Sequence, residues 1–262
     1  MSVLEWLKQP EARAIEDLDE DETVSVHARI IKSKGFLRRL YSEYYHQMGA
    51  AVGYCEHGVF VEIGSGGGFI KEVLPNTVTS DVVPHNGVEE VFPAQSMPFD
   101  DGSVNGIFIL NCFHHFSEPA LVLEEFERVL VVGGSVVMIE PANTWWGRLI
   151  YTRFHHEPFN SSGGWSLPDS GRLTGANVAL PWVVFVRDRE AFSKFFQSMA
   201  IDSVNHHTPF SYLISGGLTW RQLAPTWTYP LVRTTERLLS PFSKSLGMFM
   251  TVVIRKCQAT DI

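Results

Sequence analysis

The chain has 262 residues, 45% of them hydrophobic and 19% charged, with a formal net charge of −8, which suits one large α/β domain with insertions. No Lys/Arg-rich run is present, which argues against a nucleic-acid partner, and no apolar run is long enough to span a bilayer. Cys55, Cys112 and Cys257 are scattered and odd in number, against a disulfide framework or a zinc site, and the first residues carry no charged-then-apolar leader, so the expected setting is cytoplasmic.

Residues 1–51 read as an N-terminal helical segment. Glu16 to Glu22 is nearly all acidic, which suits the solvated start of a helix. From Val24 on, Ile30, Ile31, Leu37, Leu40, Tyr41, Tyr44 and Tyr45 recur at helical spacing. Such a stripe either packs a helix onto the domain or lays it as a lid over a ligand, and packing is the expectation for most of these residues.

Val59-Phe60-Val61-Glu62-Ile63 reads as a buried parallel strand. Gly64-Ser65-Gly66-Gly67-Gly68 then reads as the tight turn that leaves it and opens a short helix, Phe69 to Leu74, ended by Pro75. Such turns hold nucleotide-like cofactors, but the dinucleotide fingerprint needs a small residue where Phe69 stands. The pattern E/D-x-G-x-G-x-G fits better, with Glu62, Gly64, Gly66 and Gly68. It resembles motif I of the class I S-adenosylmethionine (SAM)-dependent methyltransferases. That resemblance implies glycines against the amino-acid end of SAM and an acidic residue positioning the site.

Val78 to Val83 reads as the second strand, with Asp81 at its end. A carboxylate there is placed to accept both hydroxyls of an adenosine ribose, in NAD and SAM folds alike. After a weak third strand, Val88 to Phe92, comes Ala94-Gln95-Ser96-Met97-Pro98-Phe99-Asp100-Asp101-Gly102-Ser103-Val104. This resembles the A-x-x-L-P-F-x-D-x-S-F-D segment of methyltransferases related to the ubiquinone/menaquinone C-methyltransferases. Met97, Val104 and Asn105 depart from it, and Pro93 stands where the family usually has Asp or Asn. The resemblance implies that Gln95, Ser96 and Met97 lie beside the adenine. Pro93 has no polar side chain to offer the adenine amino group, so Gln95 or the backbone is expected to serve it.

Gly106 to Leu110 reads as the fourth strand, and Asn111-Cys112-Phe113-His114-His115-Phe116 matches the family's strand-four exit. Pro119 to Leu130 reads as an amphipathic helix with proline at its start. Arg128 to Gly134 resembles R-V-L-K-P-G-G, with Val131 and Val132 departing, and Ser135 to Glu140 is the fifth strand. The resemblance thus covers Val59 to Pro141. Residues 143–181 form an aromatic-rich insertion, longer than ordinary connections. Arg187 to Met199 reads as a helix, Ile201 to Val204 as strand six and Phe249 to Arg255 as the last strand, with a second insertion at 210–246.

The expected fold is an α/β, Rossmann-like seven-stranded, mostly parallel sheet with helices on both faces and an antiparallel last strand, filling residues 52–262. The resemblance implies SAM as cofactor, in-line methyl transfer to the O, N or C atom of a small lipid-like or glycan-type acceptor, and a cofactor site drawn from Glu62, Gly64, Ser65, Gly66, Gly68, Asp81, Val82, Gln95, Ser96, Met97, Asn111 and Phe113. His114 and His115 leave strand four where the methyl should sit and are candidate bases, as is His155 in the triplet His155-His156-Glu157. Adjacent histidines point apart on a helix or strand, so no metal site is expected. The alternatives are a nicotinamide-dependent Rossmann oxidoreductase and a non-catalytic module that keeps the fold.

Overall fold

A computed structural model of the protein describes residues 6–14, 21–168 and 175–258. Most of the acidic stretch and a few residues of the first insertion lie outside these. Two helices come first, α1 (Asp21–Ser33) and α2 (Gly35–Val52), then β1 (Phe60–Ile63), β2 (Thr77–Asp81), β3 (Glu90–Val91) and β4 (Val104–Leu110). Helix α3 (Pro119–Val129) leads into β5 (Leu130–Pro141), followed by α4 (Trp145–Phe154), α5 (Arg189–Phe195) and β6 (Met199–His207). Helices α6 (Ser211–Ser215) and α7 (Tyr229–Leu238) precede β7 (Phe249–Lys256).

The seven strands form one sheet in the order β3-β2-β1-β4-β5-β7-β6. β7 runs antiparallel to both neighbours, whereas β1, β2, β3, β4 and β5 pair in parallel. Alternation along β4 shows why both faces are covered. Ile107 and Ile109 join Val122, Leu123 and Phe126 of α3, while Phe108 faces Leu37, Leu40 and Tyr44 of α2. Each such side chain, fully buried, contributes about 1.5–3 kcal/mol before entropy is counted. The parallel strands bring Gly64, Asp81, Asn111 and Glu140 to one edge, the carboxyl edge where such sheets bind ligands.

The structure corrects the helix expected after the glycine turn. Ile70–Glu72 is a single 3-10 turn. Pro75 and the glycines leave no room for a longer one, and α2 fills that face instead. The Tyr45 ring meets Phe69 edge-on at 5.3 Å and the Arg38 guanidinium lies over it at 4.4 Å. Other ends also move. β5 begins at Leu130 and β6 runs on to His207. The helix expected from Arg187 starts at Arg189, after a π-turn over Val183–Arg187.

The N-terminal helices both pack on the domain and roof it. Tyr44 and Tyr45 are buried against the sheet. Helix α1 presses on the glycine turn, where a Cβ on Gly67 would lie 2.5 Å from the backbone nitrogen of Ala28. Far along the chain, the second insertion clasps this roof. The buried Lys34 ammonium donates to the carbonyls of Gly217 and Trp220, both at 2.5 Å. Burial lowers its pKa to about 8, opposed by the charge of Glu11. Gln222 Oε1 accepts from Phe36 N at the start of α2 (3.0 Å), and residues 7–9 bond to 219–221.

Gly67→Ala tests the closeness of the roof. The neighbour is backbone, which cannot swing away, so the extra methyl is expected to destabilise the protein by about 1–3 kcal/mol. Gly66→Ala is the control, because space there is open and only the left-handed φ of +48° is strained. Urea melts of both variants check this, and a Gly67→Ala melt that overlays the wild type would refute the contact.

Candidate active site

One cavity of about 870 Å³ runs under the roof from the glycine turn to the histidines after β4. At its first end Gly64 and Gly66 take φ of +66° and +48°. A Cβ on Gly64 would lie 2.2 Å from Cys112 Sγ, so only glycine lets the turn sit against the exit of β4. The turn is held to β2. Gly66 N donates to Asp81 Oδ2 at 3.1 Å, Ser65 N to Ser80 O at 2.9 Å and Ser80 Oγ to Glu62 O at 2.8 Å. Val82 N fixes the other Asp81 oxygen at 2.7 Å, and His85 Nε2 lies 3.3 Å from Oδ2.

Two buried acceptors at this end lack a hydrogen-bond partner, Glu62 Oε2 and Asn111 Oδ1. Burial pushes the Glu62 carboxyl up to about 8, with Ser65 and Tyr45 hydrogen bonds pulling it down and the Asp81 charge adding to the rise. Asn111 holds a left-handed φ of 53° beside Tyr41, whose phenol burial pushes up to about 12 against an Asn111 hydrogen bond. Open glycine backbone, two carboxylates and an unused amide oxygen fit the ammonium, ribose hydroxyls and amino groups of a nucleoside-bearing amino acid.

Most of the expected cofactor residues meet here: Glu62, Gly64, Ser65, Gly66, Gly68, Asp81, Val82, Gln95 and Asn111 all line the cavity. Three do not. Ser96 is tied into a turn by its N–H to Pro93 O (2.9 Å). Met97 is buried in the core, its backbone held by Glu125 and Arg128. Phe113 is fully buried, with its ring 4.9 Å from Phe185. Phe92, Pro93 and Ala94 take their places in the wall, and Tyr41, Tyr45 and Tyr212 close the cavity from the roof and second insertion.

At the far end stands a cluster that sequence order hides. Glu140, fully buried at the end of β5, accepts from Cys112 N (2.7 Å) and Phe113 N (2.8 Å) with Oε1, and its Oε2 lies 2.7 Å from His114 Nδ1. Thr144 caps α4, accepting from Gly147 N at 2.9 Å, and that helix ends at Phe154. The following loop is pinned by Asn177, which donates its N–H to His114 O (2.9 Å) and clasps the backbone of Asn160 (2.9 and 3.0 Å). Glu157 is thereby set among four imidazoles, its oxygens 3.3 Å from His114 Nε2, 3.8 Å from His115 Nε2, 3.8 Å from His155 Nδ1 and 3.5 Å from His156 Nε2.

The histidine pairs correct the expectation that neighbours point apart. The His114 and His115 rings are 4.2 Å apart and those of His155 and His156 stack at 4.8 Å. A 3-10 turn and a loop, neither a helix nor a strand, make this possible. Burial alone would lower the His114 pKa, but Glu140 and then Glu157 hold it up at about 10. Burial and the neighbouring His114 push His115 down to about 3, and burial takes His155 to about 4. Burial would raise Glu157, yet the histidines, His114 first, hold it well below the usual carboxylate range. His207, by contrast, is a satisfied structural residue between Thr208 and Thr251 hydroxyls (2.8 and 2.9 Å).

Sheet order, glycine turn and acidic strand ends define a Rossmann-like domain for a nucleoside-bearing cofactor. Residues 61–138 match the family model described as a methyltransferase domain. Over this stretch the chain carries a SAM-dependent methyltransferase domain, and SAM is its cofactor. The nicotinamide and non-catalytic alternatives are thereby set aside. No curated protein sequence matches the chain. Among solved structures it is similar to a geranyl diphosphate C-methyltransferase from Streptomyces coelicolor A3(2), at 15% identity over 95% of this chain and 91% of that one, TM-score 0.45. It is similar also to a geranyl diphosphate methyltransferase in complex with SAM (14%, 95% and 96%, TM-score 0.47) and to a SAM-dependent methyltransferase from Mesorhizobium loti (15%, 80% and 96%, TM-score 0.46). Among the described residues no helix is long and apolar enough to cross a membrane.

Proposed function

We propose that the protein methylates a small, largely apolar acceptor that presents a polar atom to the histidine–Glu157 end of the cavity. The observation that carries this reading is the continuity of the cavity. It joins the glycine turn to His114, His115 and Glu157 past Tyr41, Ile150, Tyr151 and Phe249. Its volume, about 870 Å³, lies in the upper part of the roughly 300–1,000 Å³ range of small-molecule sites, room for a cofactor and an acceptor together.

The bound cofactor supplies an electrophilic methyl on a sulfonium. Transfer of that methyl to the acceptor would leave S-adenosylhomocysteine, and any proton the acceptor loses would pass to water or to the cluster. The protein's part is to hold the two reactants in line and dry. Asp81 takes the ribose hydroxyls, Glu62 and the glycine turn take the amino-acid end, and Gln95 and Val82 flank the base. His114 and Glu157 orient the acceptor's polar atom, and α1 with residues 216–220 excludes water.

Asp81→Ala removes a charged acceptor for two hydroxyls and loosens the Gly66 N–H. S-adenosylhomocysteine binding is expected to weaken about 30- to 100-fold, as loss of about 2–3 kcal/mol of charge-assisted hydrogen bonding implies. Calorimetric titration reads this directly. Methyl-labelled SAM incubated with the protein and a cell extract should label molecules of low mass. Unchanged affinity in Asp81→Ala would overturn the ribose assignment, and label confined to macromolecules would overturn the small-acceptor reading.

A further inference from the structure

His114 and His115 follow β4, while Glu157 comes from the first insertion, some forty residues on. One ligand atom from each of the three lies within 4.8 Å of the others. We propose that these three side chains form a binding site for a first-row divalent transition-metal ion, with its remaining positions open to an oxygen-bearing ligand in the cavity. Two imidazole nitrogens and one carboxylate oxygen are a donor set suited to such ions and poorly suited to magnesium or calcium.

The spacing needs little adjustment. Metal–ligand bonds of about 2.0–2.2 Å place neighbouring ligand atoms roughly 3–3.6 Å apart. His114 Nε2 and His115 Nε2 already stand 3.3 and 3.8 Å from the Glu157 oxygens. The bonding capacity is also unspent. Glu157 Oε2 is buried without a hydrogen-bond partner, so the 3.3 Å approach of His114 is an ion pair without hydrogen-bond alignment.

The surroundings of His114 match what a metal-bound histidine requires. A ligating imidazole nearly always gives its second nitrogen to a carboxylate or carbonyl, which fixes the tautomer and ring plane. His114 Nδ1 meets Glu140 Oε2 at 2.7 Å, and Glu140 is itself anchored by two backbone N–H groups. All three ligands line the cavity, so an ion there would face the acceptor. The site stands whether or not the acceptor reading holds; only the ion's contact with a hydroxyl, enolate or carboxylate of the acceptor rests on it.

The test is titration of the chelator-treated full-length protein with cobalt(II), read by its visible absorption and by metal content after dialysis. One cobalt ion per chain is expected, with a ligand-field band that His115→Ala and Glu157→Gln each weaken at least tenfold in affinity. Glu140→Gln, which alters the outer partner of His114 and keeps an oxygen for the Cys112 and Phe113 N–H groups, is expected to weaken it about 10- to 100-fold. S-adenosylhomocysteine affinity serves as the fold check and is expected to stay within a few-fold of wild type. If Glu157→Gln fails that check, His115→Ala decides, since His115 spans no ion pair closer than 3.8 Å. No stoichiometric cobalt in the wild type, or variants that bind it as well, would leave an ion network only and overturn the site. Either result is separate from labelled-methyl transfer, so the methyl-acceptor reading fails or stands on its own measurement.

Discussion

Arg233→Ala is expected to lower unfolding stability by about 3–5 kcal/mol, the cost of breaking a buried ion pair by removing one side. Arg233 is buried on α7 and grips Glu43 of α2 with two nitrogens, at 2.6 and 3.0 Å. Its third nitrogen meets Glu236, which accepts the N–H groups of Phe210 and Ser211 at 2.8 and 2.7 Å. Tyr229 adds its hydroxyl to Glu43 at 2.6 Å. Burial would raise the Glu43 pKa, and the Arg233 and Tyr229 hydrogen bonds overcome it and hold the carboxylate charged. Without Arg233, the buried Glu236 loses its ion-pair partner and the half-buried Glu43 keeps only Arg237, at 3.9 Å. Arg233→Lys keeps the charge but not the fork, so an intermediate loss is expected. Urea melts decide, and a loss under about 1 kcal/mol for the alanine variant would show that water compensates the carboxylates. Because the network joins the second insertion to the N-terminal helices, S-adenosylhomocysteine affinity should fall with stability.

Glu62→Gln is expected to act in opposite directions on the free protein and on the cofactor complex. Glu62 has a folded pKa of about 8, above its ordinary 4.5. The native state therefore holds the proton after the unfolded chain has released it. Below pH 4.5 the group costs nothing. Between 4.5 and 8 stability falls with rising pH, and above 8 the full penalty stands, on the order of 4 kcal/mol. Glutamine, always neutral, removes that slope. In the absence of ligand the variant should match the wild type near pH 5 and exceed it by several kcal/mol above about pH 8. With S-adenosylhomocysteine the order reverses, because the ammonium group loses its carboxylate and affinity should drop about tenfold or more. Urea melts at several pH values, paired with calorimetry, check both halves. Parallel pH profiles for the two proteins would show that Glu62 ionises normally.

The central sheet and the cofactor end are legible in the sequence because their signals are local. The apolar run before Gly64, the glycines themselves and Asp81 at a strand end each depend on neighbours in sequence. What stays hidden depends on which way a side chain turns. Met97 and Phe113 sit beside cavity residues in the chain but face the core, and no spacing rule separates Gln95 from Met97. The missing helix after Gly68 reflects competition from α2 for the same face. Glu140 carries a readable sign, a lone carboxylate closing the apolar run Val136 to Ile139, but its partner His114 lies in the turn after another strand. The clasp of Lys34 on Gly217 and Trp220 spans more than 180 positions, and no local pattern announces such a pairing. The histidine pairs escape the rule of alternating directions because that rule holds for regular backbone, and theirs is irregular.

Helix α1 lies with its backbone against Gly67, and one ammonium on two carbonyls is among the contacts that fasten that roof. Alignment of the reactants and access to them are then governed by different parts of the molecule. Making the bond rests on groups at the strand ends. If exchange of spent cofactor for fresh requires the roof to lift, its rate depends on how often Lys34 and its neighbouring contacts let go.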